Sequence, residues 1–113
     1  MAHTQDTDED LQEIGKTVQA FFDGWNNRDI SRVVSVFSDD ADVVNSLGLW
    51  WSGLPAITRG LGAMNAMGPP LTLNSITAHL VGDDAALCVA AYTVAGFTRP
   101  GGQAIPEQQA ISI

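Results

Sequence analysis

Thirteen acidic against five basic side chains in 113 residues give a formal charge of −8, so the average surface field repels phosphate backbones and anionic headgroups. Nucleic acid and membrane surfaces are therefore disfavoured as partners. At 45% hydrophobic the chain has apolar surface enough for one compact domain over residues 1–113 and too little length for two. No run approaches the roughly 20 apolar residues of a membrane span, and the acidic, polar start from Met1 to Asp10 is unlike an export signal. Cys88 has no second cysteine to pair with, so neither an internal disulfide nor a thiolate metal cage is expected, and a reducing cytoplasm is the expected compartment.

Leu11, Ile14, Val18, Phe21, Phe22 and Trp25 recur at helical spacing, which predicts an amphipathic helix over residues 8–26 with Asp8, Glu9 and Asp10 as its capping acids. Asn26 and Asn27 end it. Asp29 has the chemistry to cap a short second helix whose buried stripe is Ile30, Val33, Val34 and Phe37, closed by Asp39 and Asp40. From Asp42 the period changes to two: Val43, Asn45 and Leu47 point one way, Asp42, Val44 and Ser46 the other, before Gly48 permits a reversal. Trp50 and Trp51 lie on the return arm and face opposite sides.

Pro55 suits the first turn of a third helix with Ile57, Leu61 and Met64 as apolar contacts, weakened by Gly60 and Gly62 and stopped at Gly68-Pro69-Pro70. Strands are predicted over residues 71–81 and 85–97 around a Gly82-Asp83-Asp84 turn. A loop near Arg99 follows, then a last run over residues 107–113. Both faces of the 85–97 strand are largely apolar: Leu87, Val89 and Ala91 on one, Cys88, Ala90 and Val94 on the other. A sheet covered by helices on one side should present a polar outer face, so the second face is expected to meet the sheet of a second subunit in a homodimer.

The segment from Phe37 to Ile57 resembles the SnoaL-like branch of the nuclear transport factor 2-like superfamily. It is most similar to the SgcJ/EcaC-type group, in which Asp-Ala-Asp-Phe-Val-Asn leads into Gly-x-Trp-Trp-x-Gly; here Asp40-Ala41-Asp42-Val43-Val44-Asn45 precedes Gly48-Leu49-Trp50-Trp51-Ser52-Gly53. The resemblance implies an α+β fold, a conical, curved antiparallel sheet with three helices from the N-terminal half enclosing a pocket, the cystatin-like α+β barrel. Relatives of that group often carry a histidine on the third helix where this chain has Leu61, and the role tied to it is missing. Alignment with ketosteroid isomerase places that enzyme's aspartate base at Asn45 and its hydrogen-bonding tyrosine at Phe21. An amide cannot take a proton from carbon and a phenyl ring cannot polarise a carbonyl, so that enolisation mechanism does not transfer. Relatives also continue beyond the strand matching Gln108 to Ile113 into a last strand that this sequence does not contain.

Asn45 is expected to point inward from the first strand, where its amide could orient a carbonyl or hydroxyl of a ligand; the alternative is a structural bond that secures the hairpin. His79, alternating with Ser75 and Thr77, and Tyr92 on the central strand are candidate proton donors, each weighed against a packed structural role. Trp25, Trp50, Trp51, Phe21 and Leu61 are candidate walls for a flat apolar ligand, against the plainer reading that most tryptophans are core. Arg59 and Arg99 could each meet an anionic group. No metal site is expected, because His79 lacks companion ligands, and no cofactor, because no phosphate-binding loop or dinucleotide fingerprint is present. The leading expectation is a small-molecule-binding protein acting as a cofactor-independent cyclase, isomerase or hydrolase of secondary metabolism. The alternative is a non-catalytic dimerising or ligand-carrying module.

Overall fold

The computed structural model describes residues 2–45 and 48–113, with side chains from residue 9 onward. In chain order the elements are α1 (Ala2–Asn26), α2 (Ile30–Val34), β1 (Asp42–Val44), β2 (Trp50–Ser52), α3 (Leu54–Met67), β3 (Leu71–Val81), β4 (Ala85–Val94), β5 (Phe97–Thr98), β6 (Ala104–Ile105) and β7 (Gln108–Ser112). Helix α1 opens at Ala2, so Asp8, Glu9 and Asp10 lie inside it and are not its caps. The sequence before them contains neither Gly nor Pro to stop a helix from starting earlier.

The end of α1 is fixed by more than its two asparagines. Arg28 takes a left-handed conformation (φ 56°), the Asp29 N–H donates to Gly24 O at 2.8 Å and the Arg28 N–H to Trp25 O at 3.2 Å. This is the paired-bond termination that caps orphan carbonyls of a last helical turn. The chain then restarts as α2, with the Asp29 side chain accepting from the Arg32 N–H at 3.2 Å as expected. Side chains tie the same region to α3 and β3. Asn26 brackets the Leu71 backbone, donating to its O at 2.6 Å and accepting from its N–H at 2.8 Å. The Trp25 indole donates to Pro69 O at 3.2 Å, and buried Asn65 donates to Trp25 O at 3.0 Å. Arg28 in turn donates to Asn65 O. The end of α1 is thus stapled to the end of α3 and the start of β3, which brings the three segments around one core.

That core is small and lies between the helices and the β1–β2 hairpin. Val33 and Ile57 are fully buried, Trp25 and Leu61 nearly so, and Phe21, Phe37, Val43, Trp51 and Leu71 pack around them. Met64, expected among the buried contacts of α3, is 43% exposed. The buried line of the helix runs Ile57, Leu61, Asn65, four residues apart, and Met64 stands to one side of it. Gly60 is not merely a weak point of α3: a Cβ there would overlap the fused rings of Trp51, so the absence of a side chain is what lets the indole seat against the helix.

The strands form three antiparallel ladders. β1 pairs with β2 (Val43 opposite Trp51), β3, β4 and β7 form the main sheet in that order, and β5 pairs with β6. The first hairpin reverses at Gly48 (φ 79°) as expected; Leu47, expected on the inner face, lies outside the described residues. β4 ends at Val94 rather than running to 97, because Phe97 and Thr98 leave to pair with Ile105 and Ala104. The main sheet extends beyond its helical cover, and the radius of gyration is 15.6 Å against about 13 Å for a compact domain of this length.

Candidate functional site

Two faces of the main sheet divide the candidate residues. Tyr92 points toward the helices: its ring meets Phe22 of α1 edge to face, with centroids 5.3 Å apart, and its hydroxyl lies 3.0 Å from Ser112 Oγ on β7. Alternation along β4 then puts Ala90 and Cys88 on this inner face and Leu87, Val89 and Ala91 on the outer one. His79 is opposite Leu87 and Tyr92 opposite Leu73, so the histidine shares the outer face with Thr77 and Ser75, away from Tyr92, and not the hollow into which both were expected to donate. Five residue steps along β4, from Leu87 to Tyr92, separate the two pairings, about 17 Å of sheet at 3.4 Å per residue. One small molecule cannot engage both.

Asn45 sits in neither place. It ends β1, where its Oδ1 accepts from the Leu49 N–H at 2.9 Å, its N–H donates to Leu49 O at 3.0 Å and its carbonyl accepts from the Gly48 N–H at 3.0 Å. Three bonds around one residue hold the reversal, which is the hairpin-securing role. Asp42 points outward as expected, accepting from the Trp50 indole at 3.1 Å.

The candidate aromatic wall separates in the same way. Trp25 is 6% exposed and stacks on Phe21 at 6.2 Å with the planes 17° apart; Phe21 also meets Phe22 and Phe37 edge to face. Trp51 is wedged on Gly60, and Leu61 lies beneath in the buried cluster. Trp25, Phe21, Trp51 and Leu61 are therefore brought together, but as mutual packing. Trp50 is 69% exposed on the other side of the hairpin, which is the opposition of faces that adjacent strand residues require.

The structure opens a concavity where none of these residues lies. A groove of about 540 Å³ runs between the end of α3 and the β5–β6 hairpin, lined by Met64, Met67, Gly68, Phe97, Thr98, Arg99 and Pro100. Its size falls within the range of small-molecule sites, and its walls are two thioethers and a phenyl ring, adaptable apolar surface of the kind that accepts varied shapes. Met64 and Met67 sit three residues apart on α3, so they share a face. That spacing, past the Leu61 core position, is the one sequence signal that could have pointed here. A second depression, about 510 Å³, lies against Asp39, Leu54, Pro55 and Thr58. It is shallow.

Among the described residues no group of three or more His, Cys, Asp or Glu is placed to hold a metal ion, and no helix is long and apolar enough to cross a membrane.

Comparison with known proteins agrees with this architecture. A family model described as a SnoaL-like domain matches residues 18–112. An uncharacterised protein with a cystatin-like fold from Caulobacter vibrioides is 25% identical at a TM-score of 0.80, the match covering 89% of this chain and 73% of that one. The protein Aln2 from a Streptomyces species is 18% identical at 0.69, covering 91% and 76%. A protein of the NTF2-like family from Streptomyces avermitilis, provisionally named a dehydratase, is 16% identical at 0.67, covering 92% and 82%. No curated protein matches. These likenesses establish an α+β, cystatin-like fold.

Proposed function

Because the chain belongs to the SnoaL-like domain family, whose fold is a ligand-binding one, we propose that it binds a small, mostly apolar molecule in the groove between α3 and β5–β6 and works as a homodimer. The observation that carries the ligand reading is the groove itself: exposed Met64 and Met67 line, with Phe97, an open apolar depression of about 540 Å³ against which a small molecule can lie. Thermal-shift screening of flat polycyclic compounds tests it. A ligand present at 100 times its Kd stabilises by about 2.7 kcal/mol, which raises Tm by several degrees in a domain of this size. Met67→Glu, at a position 70% exposed, is expected to abolish that shift without lowering the Tm of the free protein. No stabilising compound, or a shift that survives Met67→Glu, refutes the placement.

Within the family, cyclisation, isomerisation, hydration or epoxide opening without a cofactor is one use of such binding, with Asn45, Tyr92 and His79 as the groups this chain could bring to it. The ligand-carrying reading is favoured over that one by a specific placement: His79 and Tyr92 occupy opposite faces about 17 Å apart along the sheet, Asn45 is engaged in its own hairpin, and chemistry on one substrate needs convergent groups. Turnover lost in Tyr92→Phe or Asn45→Ala, with binding retained, would restore the enzymatic reading.

The dimer reading rests on the outer face. Leu87, Val89 and Ala91 on β4 adjoin Ile111, which pairs with Ala91 and is 68% exposed. A second subunit's sheet would remove this stripe from water at roughly 25 cal/mol per Å². Light scattering at micromolar concentration is expected to give a dimer mass for the wild type and a monomer mass for Leu87→Asp with Ile111→Asp. A monomeric wild type overturns the reading.

A further inference from the structure

Arg99 gives the groove a polarity that its apolar walls do not. The chain has few cations, and most are committed: Lys16 pairs with Glu13 at 3.3 Å, Arg32 with Asp23 at 3.6 Å, and Arg28 donates to Asn65 O. Arg99 forms no ion pair among the described residues, although the sequence holds 13 carboxylates to choose from. Its backbone is anchored, since the Arg99 N–H donates to Gln103 O and its carbonyl accepts from the Gly102 N–H, each at 2.8 Å. The β5–β6 hairpin therefore holds Arg99 by its backbone at the groove wall, with an exposed side chain that has no ion-pair partner among the described residues.

Two opposing effects bear on what that cation attracts. The end of α3 also borders the groove through Met67 and Gly68, and a helix C-terminus carries about −0.5 of an elementary charge. The guanidinium carries a full positive charge and does not deprotonate, which exceeds the partial charge of the helix end. The chain's net charge of −8 opposes an anion at long range, an effect screened beyond about 8 Å at physiological salt. A planar fork of donors beside methionine and phenylalanine matches a carboxylate on an apolar body.

We propose that the groove takes an amphiphilic carboxylate, an aromatic or aliphatic acid whose body lies on Met64, Met67 and Phe97 and whose carboxylate pairs with Arg99. The proposal rests on the ligand-binding reading of the groove and adds the ligand's charge. Titration calorimetry with 2-naphthoate and its neutral counterpart 2-naphthylmethanol separates the two. Wild-type protein is expected to bind the acid up to about fivefold more tightly than the alcohol, as an ion pair to an exposed guanidinium implies, with the margin shrinking in high salt. Arg99→Gln, a loop substitution whose Tm should equal that of the wild type, is expected to erase the margin while leaving the alcohol's affinity unchanged. Equal binding of acid and alcohol, or a preference for the acid that persists in Arg99→Gln, overturns the charge assignment and leaves the groove standing. Binding of neither overturns both.

Discussion

Trp25→Ala is expected to cost about 3–5 kcal/mol of folding stability, and Trp50→Ala less than about 0.5 kcal/mol. Trp25 is 6% exposed, stacks on Phe21 and donates its indole N–H to Pro69 O, so truncation empties the cluster and leaves a carbonyl at the end of α3 without its donor. Trp50 is 69% exposed, and its indole bond to Asp42 can be replaced by water. A domain of this size has only about 5–15 kcal/mol in total, so the first variant should be close to unfolded at 37 °C while the second melts with the wild type. Urea titration of both proteins checks the contrast; similar midpoints would mean that the core lies elsewhere.

Gly60→Ala is expected to destabilise by about 1–3 kcal/mol, the usual cost of overpacking, although alanine is the better helix former by about 1 kcal/mol. The signs oppose, and contact decides. The added methyl falls within the fused rings of Trp51, a flat, stiff group held between α3 and the core, and not the free end of a flexible chain. The cost should vanish, and the propensity gain reappear, when Trp51 is shortened: in a Trp51→Leu background Gly60→Ala is expected to be neutral or stabilising. The double-mutant cycle measures that coupling directly. Additivity within about 0.5 kcal/mol would show that the indole does not rest on Gly60.

The same residue shows where sequence reading stops. Local periodicity locates α1, α2 and α3, the Gly48 reversal and the Gly82 turn, because each is set by neighbours a few residues away. Gly60 reads as a flaw in a helix, since nothing in residues 54–67 reveals that a tryptophan from the preceding strand will lie across it. The bonds of Asn26 and Asn65 are hidden for a related reason: their partners, Leu71 and Trp25, are 45 and 40 residues distant, and side-chain bonds to remote backbone leave no pattern in composition. Met64 fits the apolar spacing of α3 and is expected inside; the position that is buried instead is Asn65, whose polar side chain gives a hydrophobic pattern nothing to follow. Asn45, the residue on which a ligand role is most readily imagined, has a hairpin bond as its plainer alternative, and that bond is present.

The groove is legible only in parts. Arg99 reads as a possible anion contact, Met64 as an apolar helix residue and Phe97 as the end of a strand, but their meeting depends on β4 stopping at Val94 so that Phe97 and Thr98 can fold back on Ile105 and Ala104. A strand break of this kind follows from pairing across the loop, which sequence alternation does not encode. The family likeness supplies the fold, and it is the fold's own irregularity that opens this particular surface.

The central claim, that a ligand seats between α3 and the β5–β6 hairpin, is tested most directly by amide chemical-shift mapping on the labelled protein titrated with 2-naphthoate. Perturbations are expected to concentrate at Met64–Gly68 and at Phe97, Thr98 and Arg99. Shifts confined to Asn45, Tyr92 or the Trp25 cluster, with those segments unmoved, would contradict it.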